Sequence, residues 1–269
     1  MDNFVDLSKK LIDDLNFGVS WNIEQFIKYM QIINIYQSHV KKHGFILDLG
    51  CGNGNFIKFY QLHFRQPSFK KTFYIGIDGN KKYIENCKEW ISDYKNRDFY
   101  KTTKFIYANL NENMIWDKIQ GYKIDIILAL EVIEHLNDCD LFIKRIANLL
   151  NYKSIFIIST PVHYNSNELI FRKTKNVHLH EFYYKDFCKL ISKYFHIRDS
   201  FGTLMETNEF KKCLKKFPDY KKMYEEFKDN YVPSQILIPL FELIVSKKNN
   251  KMENLTLICE KKNNLKEEK

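Results

Sequence analysis

The chain has 269 residues, of which 45% are hydrophobic and 28% are charged. That length suits one elaborated α/β domain or two small domains, and the ordinary composition excludes a collagen-like or coiled-coil fibre and argues against wholesale disorder. The formal net charge of +9 allows a nucleic-acid partner, but only five of the 42 basic residues are arginine. Because readers of phosphates and base edges favour arginine, the charge alone does not predict such a partner.

Two absences bear on localisation. No stretch approaches the roughly 18 uninterrupted apolar residues of a membrane span, and the N-terminus carries acids where a signal peptide would be basic. The six cysteines lie far apart without a C-x-x-C pair, which argues against a disulfide framework and a zinc ribbon. We therefore expect a cytoplasmic protein without a membrane span.

The periodicity of apolar residues changes along the chain. Residues 1–42 carry two helical patterns and are interpreted as a helical N-terminal segment. Seven short apolar runs then predict strands at Phe45–Leu49, Phe73–Ile77, Phe105–Ala108, Ile124–Leu130, Ile155–Ser159, Phe195–Phe201 and Leu255–Glu260. Helical stretches such as 80–92 and 138–150 alternate with the first five runs. This alternation predicts an α/β fold with a mostly parallel sheet and helices on both faces.

The chain divides on these patterns into a core over 43–202, a helical insertion over 203–250, a last strand within 251–262 and a tail over 263–269. Within the insertion, lysines and aromatic residues are interleaved over 210–228. That segment could grip an anionic substrate as a cap, or it could be an amphipathic helix with a solvated lysine face. The helical spacing of its apolar residues favours the second interpretation.

A glycine cluster follows the first strand, with Gly50, Gly52 and Gly54 directly after Asp48 and Leu49. Glycines let the backbone turn tightly and approach a ligand, and a helix starting behind them aims its N–H groups at that ligand. Asp78 ends the next strand, where a carboxylate can accept hydrogen bonds from ribose hydroxyls. The order of strand, glycine loop, helix, strand and acid predicts a nucleotide-cofactor site.

This D-x-G-x-G-x-G pattern resembles the first motif of class I S-adenosylmethionine-dependent methyltransferases, and the resemblance extends over about 44–160. It implies a Rossmann-like seven-stranded sheet whose last strand is antiparallel. It further implies that S-adenosylmethionine is bound by Asp48, Gly50, Gly52, Gly54, Asp78, Asn109 and Glu131. In that set Asp78 would hold the ribose, and Asn109 would contact the adenine. A nicotinamide dehydrogenase is a weaker alternative, because it prefers the other glycine spacing.

The fourth strand ends in Glu131, Glu134 and His135. If they open the next helix, their i, i+3 and i+4 spacing places them on one face. Two carboxylates and an imidazole so close favour a cation among them, and hard oxygen ligands suit magnesium or manganese. Alternatively, Glu131 touches the cofactor, Glu134 caps the helix and His135 packs. In either case His135, with Glu131, is the candidate catalytic group.

The segment also resembles two groups of methyltransferases. E-x-x-E-H with a downstream H-x-x-E-[FW] is similar to the metal site of small-RNA 3′-terminal 2′-O-methyltransferases, which implies the metal ligands Glu131, Glu134, His135 and His178. E-V-I-E-H-L is also typical of ubiquinone-type O-methyltransferases. His163 and His180 are weaker ligand candidates.

We therefore expect methyl transfer to oxygen, with a small-molecule or sugar hydroxyl as acceptor. The 2′-hydroxyl of an RNA 3′ end is the alternative acceptor. A third hypothesis is that the chain is a catalytically silent subunit that only binds the cofactor. The sequence carries no signal for an oligomeric state.

Overall fold

A computed structural model of the chain describes residues 23–40, 44–63, 72–95, 98–163, 178–203, 245–246 and 254–262. The described residues within 40–54, 70–200 and 254–269 form one compact unit, and those within 1–39, 55–69 and 201–253 form a second. The first N-terminal helical pattern, nearly all of the insertion and the tail lie outside the described residues. The proposed domain boundaries therefore stay a prediction.

The helices are α1 (Ile23–His39), α2 (Asn55–His63), α3 (Lys81–Ser92), α4 (Asp98–Thr102), α5 (Asn113–Ile119), α6 (Cys139–Leu149) and α7 (Tyr184–Ser192). The strands are β1 (Gly44–Leu49), β2 (Thr72–Asp78), β3 (Thr103–Tyr107), β4 (Ile126–Leu130), β5 (Ile155–His163), β6 (Phe182–Tyr183), β7 (Phe195–Thr203), β8 (Val245–Ser246) and β9 (Asn254–Lys261). All seven predicted strands are present, and the described residues include two further strands that the apolar pattern missed, β6 and β8, with two residues each.

The sheet has the order β3-β2-β1-β4-β5-β9-β7-β8, with β6 beside β5. Strands β1 to β5 pair in parallel, and β9 pairs antiparallel with β5. Parallel neighbours need crossover connections, which is why helices lie between them in the chain. The carboxyl ends of β1, β2, β4 and β5 consequently meet at one edge, where ligands bind in open α/β sheets. The predicted α/β sheet with an antiparallel last strand is confirmed.

Aromatic packing stabilises the second compact unit. The ring of Tyr29 on α1 lies 5.6 Å from that of Phe56 and 5.5 Å from that of Phe59, both on α2. Tyr36 and Tyr60 make a similar edge-to-face pair at 5.9 Å. Such pairs add to the stabilisation from burial. None of the helices in the described part of the chain has the length and apolarity needed to cross a membrane.

A buried carboxyl lies beneath the glycine loop. Asp48 on β1 is 3% exposed, and its Oδ2 accepts a hydrogen bond of 2.6 Å from the hydroxyl of Tyr74 on β2. Burial raises the pKa of Asp48 to about 7, with Asp78 adding to the rise and the Tyr74 hydrogen bond opposing it. The same burial raises the pKa of Tyr74, so the hydroxyl keeps its proton. The pair is thus held by a neutral donor and an acid that stays protonated well above its usual range.

Asp48 should make the stability of the protein fall as the pH rises from about 4 to about 7. In this window the unfolded carboxyl is ionised while the folded one keeps its proton, so unfolding releases a proton and is favoured by higher pH. The expected slope is up to about 1.4 kcal/mol per pH unit. Asp48→Asn should remove it, as measured by urea unfolding at several pH values across the window. Tyr74→Phe should extend the sloping region to higher pH, and equal slopes in wild type and Asp48→Asn would contradict this account.

Candidate active site

The glycine loop is fixed to the second strand by backbone hydrogen bonds. The N–H groups of Gly50 and Cys51 both donate to the carbonyl of Ile77, at 2.8 and 3.0 Å. Gly50 has a φ of 76°, and a Cβ there would lie only 2.4 Å from Cγ2 of Val132. The residues just after β4 therefore pack directly on the loop after β1. The glycine loop thus lies next to the segment that carries Glu131, Glu134 and His135.

Asp78 supports the loop as well as ending β2. Its Oδ2 accepts from the N–H of Gly52 at 2.8 Å, and its Oδ1 accepts from the N–H of Asn80 at 2.7 Å. Each carboxylate oxygen can accept a second hydrogen bond. Because Asp78 is part-exposed, it retains the capacity to bind a ribose.

Asn109, the residue expected to contact the adenine, is exposed. Its Oδ1 accepts hydrogen bonds from the backbone N–H and the side-chain amide of Asn111, at 3.0 and 3.2 Å. An adenine amino group would therefore share that oxygen with Asn111.

The segment after β4 is not a helix face, which corrects the helical spacing expected for Glu131, Glu134 and His135. Glu131 has a left-handed φ of 55°, and a short 3₁₀ turn covers Ile133–His135. Helix α6 begins only at Cys139, where Asp138 caps it by accepting from Leu141 N–H. Glu134 therefore does not cap this helix. The left-handed residue redirects the chain, so Glu131 points differently from Glu134.

The carboxylate of Glu131 is held by the neighbouring strands. Ser159 donates to Oε1 at 2.5 Å, and the side-chain amide of Asn254 donates to Oε2 at 2.7 Å. The backbone N–H of Glu131 also donates to the carbonyl of Ser159 at 3.0 Å. A left-handed non-glycine residue costs about 1–2 kcal/mol, and these three contacts offset that strain.

Glu134 organises the segment that carries the second histidine. Its side chain is 1% exposed and accepts a 3.0 Å hydrogen bond from the hydroxyl of Thr160. Its backbone carbonyl accepts from the N–H groups of Leu179 and His180, at 2.9 and 3.0 Å. Nε2 of His180 lies 2.8 Å from the carbonyl of Leu136 and donates to it. Nε2 of His180 is thereby engaged in anchoring the backbone.

These contacts bring three predicted ligands together. One ligand atom from each of Glu134, His135 and His178 lies within 4.8 Å of the other two. The two imidazole rings meet edge to face, with centroids 5.0 Å apart. Glu131 is not part of this cluster, because its carboxylate oxygens are turned to Ser159 and Asn254. A buried carboxylate with two imidazoles can hold a divalent cation or accept a proton from a hydroxyl.

Several supporting residues were missed by the sequence analysis. The predicted strand ends at Ser159 and Thr160 is not singled out, although a Ser-Thr pair after four apolar residues is a signal for polar contacts at the sheet edge. Asn254 begins the last strand, and its contact with Glu131 joins residues 123 positions apart. No local pattern reveals such a contact.

Comparison with known proteins identifies the family of this chain. Residues 40–230 match the family model described as a methyltransferase domain. The chain belongs to this methyltransferase family. The predicted class I S-adenosylmethionine-dependent methyltransferase is therefore confirmed at the level of the family.

The individual proteins that this chain resembles align with different shares of its length. The ubiquinone biosynthesis O-methyltransferase of Pelagibacter ubique is 34% identical over 116 residues, which are 43% of this chain and 41% of that protein. The chain thus matches less than half the length of this curated relative. An S-adenosylmethionine-dependent methyltransferase of Thermotoga maritima has a TM-score of 0.55 at 12% identity, covering 89% of this chain and 91% of that one.

A third relative was solved with the cofactor. Phosphoethanolamine N-methyltransferase 2 of Haemonchus contortus, in complex with S-adenosyl-L-methionine, has a TM-score of 0.54 at 14% identity, covering 87% of this chain and 52% of that one. At such low identities the structural likenesses show the fold alone.

Two glycines of the methyltransferase loop should respond differently to alanine. Both have positive φ, but a Cβ on Gly50 would collide with Val132, whereas a Cβ on Gly52 would have nothing within 4 Å. We expect Gly50→Ala to lower the free energy of unfolding by about 1–3 kcal/mol more than Gly52→Ala does. Val132→Ala should recover part of that loss in the Gly50→Ala background.

The open side of Gly52 should face the cofactor. Gly52→Ala is then expected to weaken S-adenosylmethionine binding beyond its small effect on stability, as measured by isothermal titration. Unchanged affinity in Gly52→Ala, or equal destabilisation by both alanines, would count against this assignment of the loop.

Proposed function

We propose that this chain transfers the methyl group of S-adenosylmethionine to a hydroxyl oxygen of a small molecule or sugar. The observation that carries the proposal is the cluster of Glu134, His135 and His178 beside the glycine loop. The named activity of the Pelagibacter relative is O-methylation, which supports oxygen as the acceptor atom.

The chemistry explains why imidazoles are needed there. Methyl transfer breaks the bond from sulfonium sulfur to the methyl carbon, forms the bond from carbon to the acceptor oxygen, and leaves a neutral thioether. The acceptor hydroxyl loses its proton, which a base must receive. His135 and His178 are the candidate bases, and the buried carboxylate of Glu134 would stabilise the imidazolium that forms. Asp48, Asp78, Asn109 and the three loop glycines would hold the cofactor.

The same side chains fit a divalent cation. Two imidazoles and one carboxylate are a donor set suited to zinc or manganese. With Glu131 turned away, the set has fewer hard oxygens than the sequence suggested, so magnesium is the weaker candidate. A bound cation would supply acidification of the acceptor hydroxyl. In this proposal Glu134, His135 and His178 hold it, and Glu131 supports the turn that presents them.

Glu134→Gln should separate transfer from cofactor binding. The glutamine keeps the shape and can still accept from Thr160, but it removes the charge that a cation or an imidazolium needs. We expect kcat to fall at least about 100-fold, while the dissociation constant of S-adenosylmethionine stays unchanged. Glu260→Gln, which alters only an exposed ion pair with Arg198, is the matched control. Loss of cofactor binding in Glu134→Gln would refute the assigned role.

The acceptor can be found with S-adenosylmethionine that carries a labelled methyl group. The protein is incubated with a whole-cell extract, with manganese or with EDTA, and RNA, protein and small molecules are separated. Label in the small-molecule fraction is the expected result. Label in RNA that is lost after EDTA treatment, or after oxidation of the 3′ diol, would instead support the terminal ribose as acceptor. Cofactor binding without any label would favour a silent subunit.

A further inference from the structure

Two titratable side chains, His163 and Glu181, lie next to the cluster of Glu134, His135 and His178, and the proposed function gives neither of them a role. His163 ends β5 and is 2% exposed. Strand β6 pairs in parallel with the end of β5, with His163 opposite Tyr183. This pairing places Glu181, the residue before β6, beside His163. Nε2 of His163 lies 2.6 Å from Oε2 of Glu181.

The second oxygen of the same carboxylate faces the cluster. Oε1 of Glu181 lies 3.4 Å from Nδ1 of His178. One carboxylate therefore makes a short hydrogen-bonding contact with a buried imidazole and a longer ion-pair contact with the imidazole of a candidate ligand. An ionised carboxylate can only accept hydrogen bonds, so the arrangement favours a proton on each ring nitrogen that faces it.

Holding the backbone in place does not require Glu181. Hydrogen bonds from Leu179 and His180 N–H to the carbonyl of Glu134, and from His180 Nε2 to the carbonyl of Leu136, already anchor the segment. The contacts of Glu181 are instead made to two imidazole rings. The contact with His163 ties the segment to β5, and the contact with His178 bears on which nitrogen of that ring carries a proton.

We propose that Glu181, itself held by His163, is a positioning residue that keeps the His178 proton on Nδ1 and leaves Nε2 with a bare lone pair. What that lone pair does, whether binding a cation or accepting a proton, rests on the proposed function. The tautomer is a property of the chain alone. A carboxylate behind a ligating histidine fixes ring orientation and raises the basicity of the other nitrogen.

The tautomer can be read from ¹⁵N-histidine NMR spectra of the metal-free protein, recorded at a pH where the ring of His178 shows one protonated and one bare nitrogen. Signals of His178 are assigned by their loss in His178→Gln. In wild type we expect the protonated nitrogen to be Nδ1. In Glu181→Gln the amide can donate as well as accept, so the Nε2–H form of His178 should become populated. Glu260→Gln should leave the spectrum of His178 unchanged.

Manganese titration of the same proteins gives a second measurement that does not depend on activity. Glu181→Gln should weaken manganese binding about 10–100-fold, with Glu260→Gln as the control. A His178 that carries its proton on Nε2 in wild type, or an unchanged tautomer in Glu181→Gln, would overturn the proposal. A wild type that does not bind manganese but whose tautomer shifts in Glu181→Gln would support the positioning role and remove the metal from the proposed function.

Discussion

Parallel pairing of β4 with β5 aligns Leu130 with Ser159, and most of the site follows from that register. The residue after Leu130 is Glu131, which emerges beside the hydroxyl and carbonyl of Ser159. Thr160, one position further along β5, reaches the carboxylate of Glu134. A slip of one residue would exchange the two faces of the strand and remove both hydroxyls from these carboxylates. The apolar residues that bury β4 and β5 on both sides are what prevent such a slip.

Glu134 then connects this sheet edge to the segment containing His178. Its carboxylate is buried, which costs several kcal/mol for an ion without compensating partners. The hydroxyl of Thr160 provides one partner, and in the proposed function a cation or an imidazolium formed during transfer would provide positive charge. Its carbonyl meanwhile holds the N–H groups of Leu179 and His180. One residue therefore places a carboxyl group at the centre of the cluster and holds the backbone that delivers the second histidine.

The sheet and the glycine loop could be predicted because their signals are local. Apolar runs of four to seven residues, several of them followed by glycines or an acid, predict both the strand and the chemistry at its end. The geometry of E-x-x-E-H could not be predicted in the same way. A helical face was the natural expectation, yet Glu131 adopts a left-handed conformation that a non-glycine residue rarely takes. What stabilises it there includes Asn254, which lies beyond the insertion, so no window of sequence around Glu131 contains the reason.

The two chemical roles considered for the cluster make the same demand on its histidines. In the proposed function, a cation would need a bare ring nitrogen and a permanent negative charge, which an ionised Glu134 would supply. A general base needs a bare ring nitrogen and a nearby negative charge only when the imidazolium forms during transfer. The two roles therefore differ in when a positive charge is present at the cluster, and not in which residues surround that charge. This is why a single buried carboxylate beside two imidazoles suits a hydroxyl acceptor with either mechanism, since an acceptor that keeps its proton would need neither.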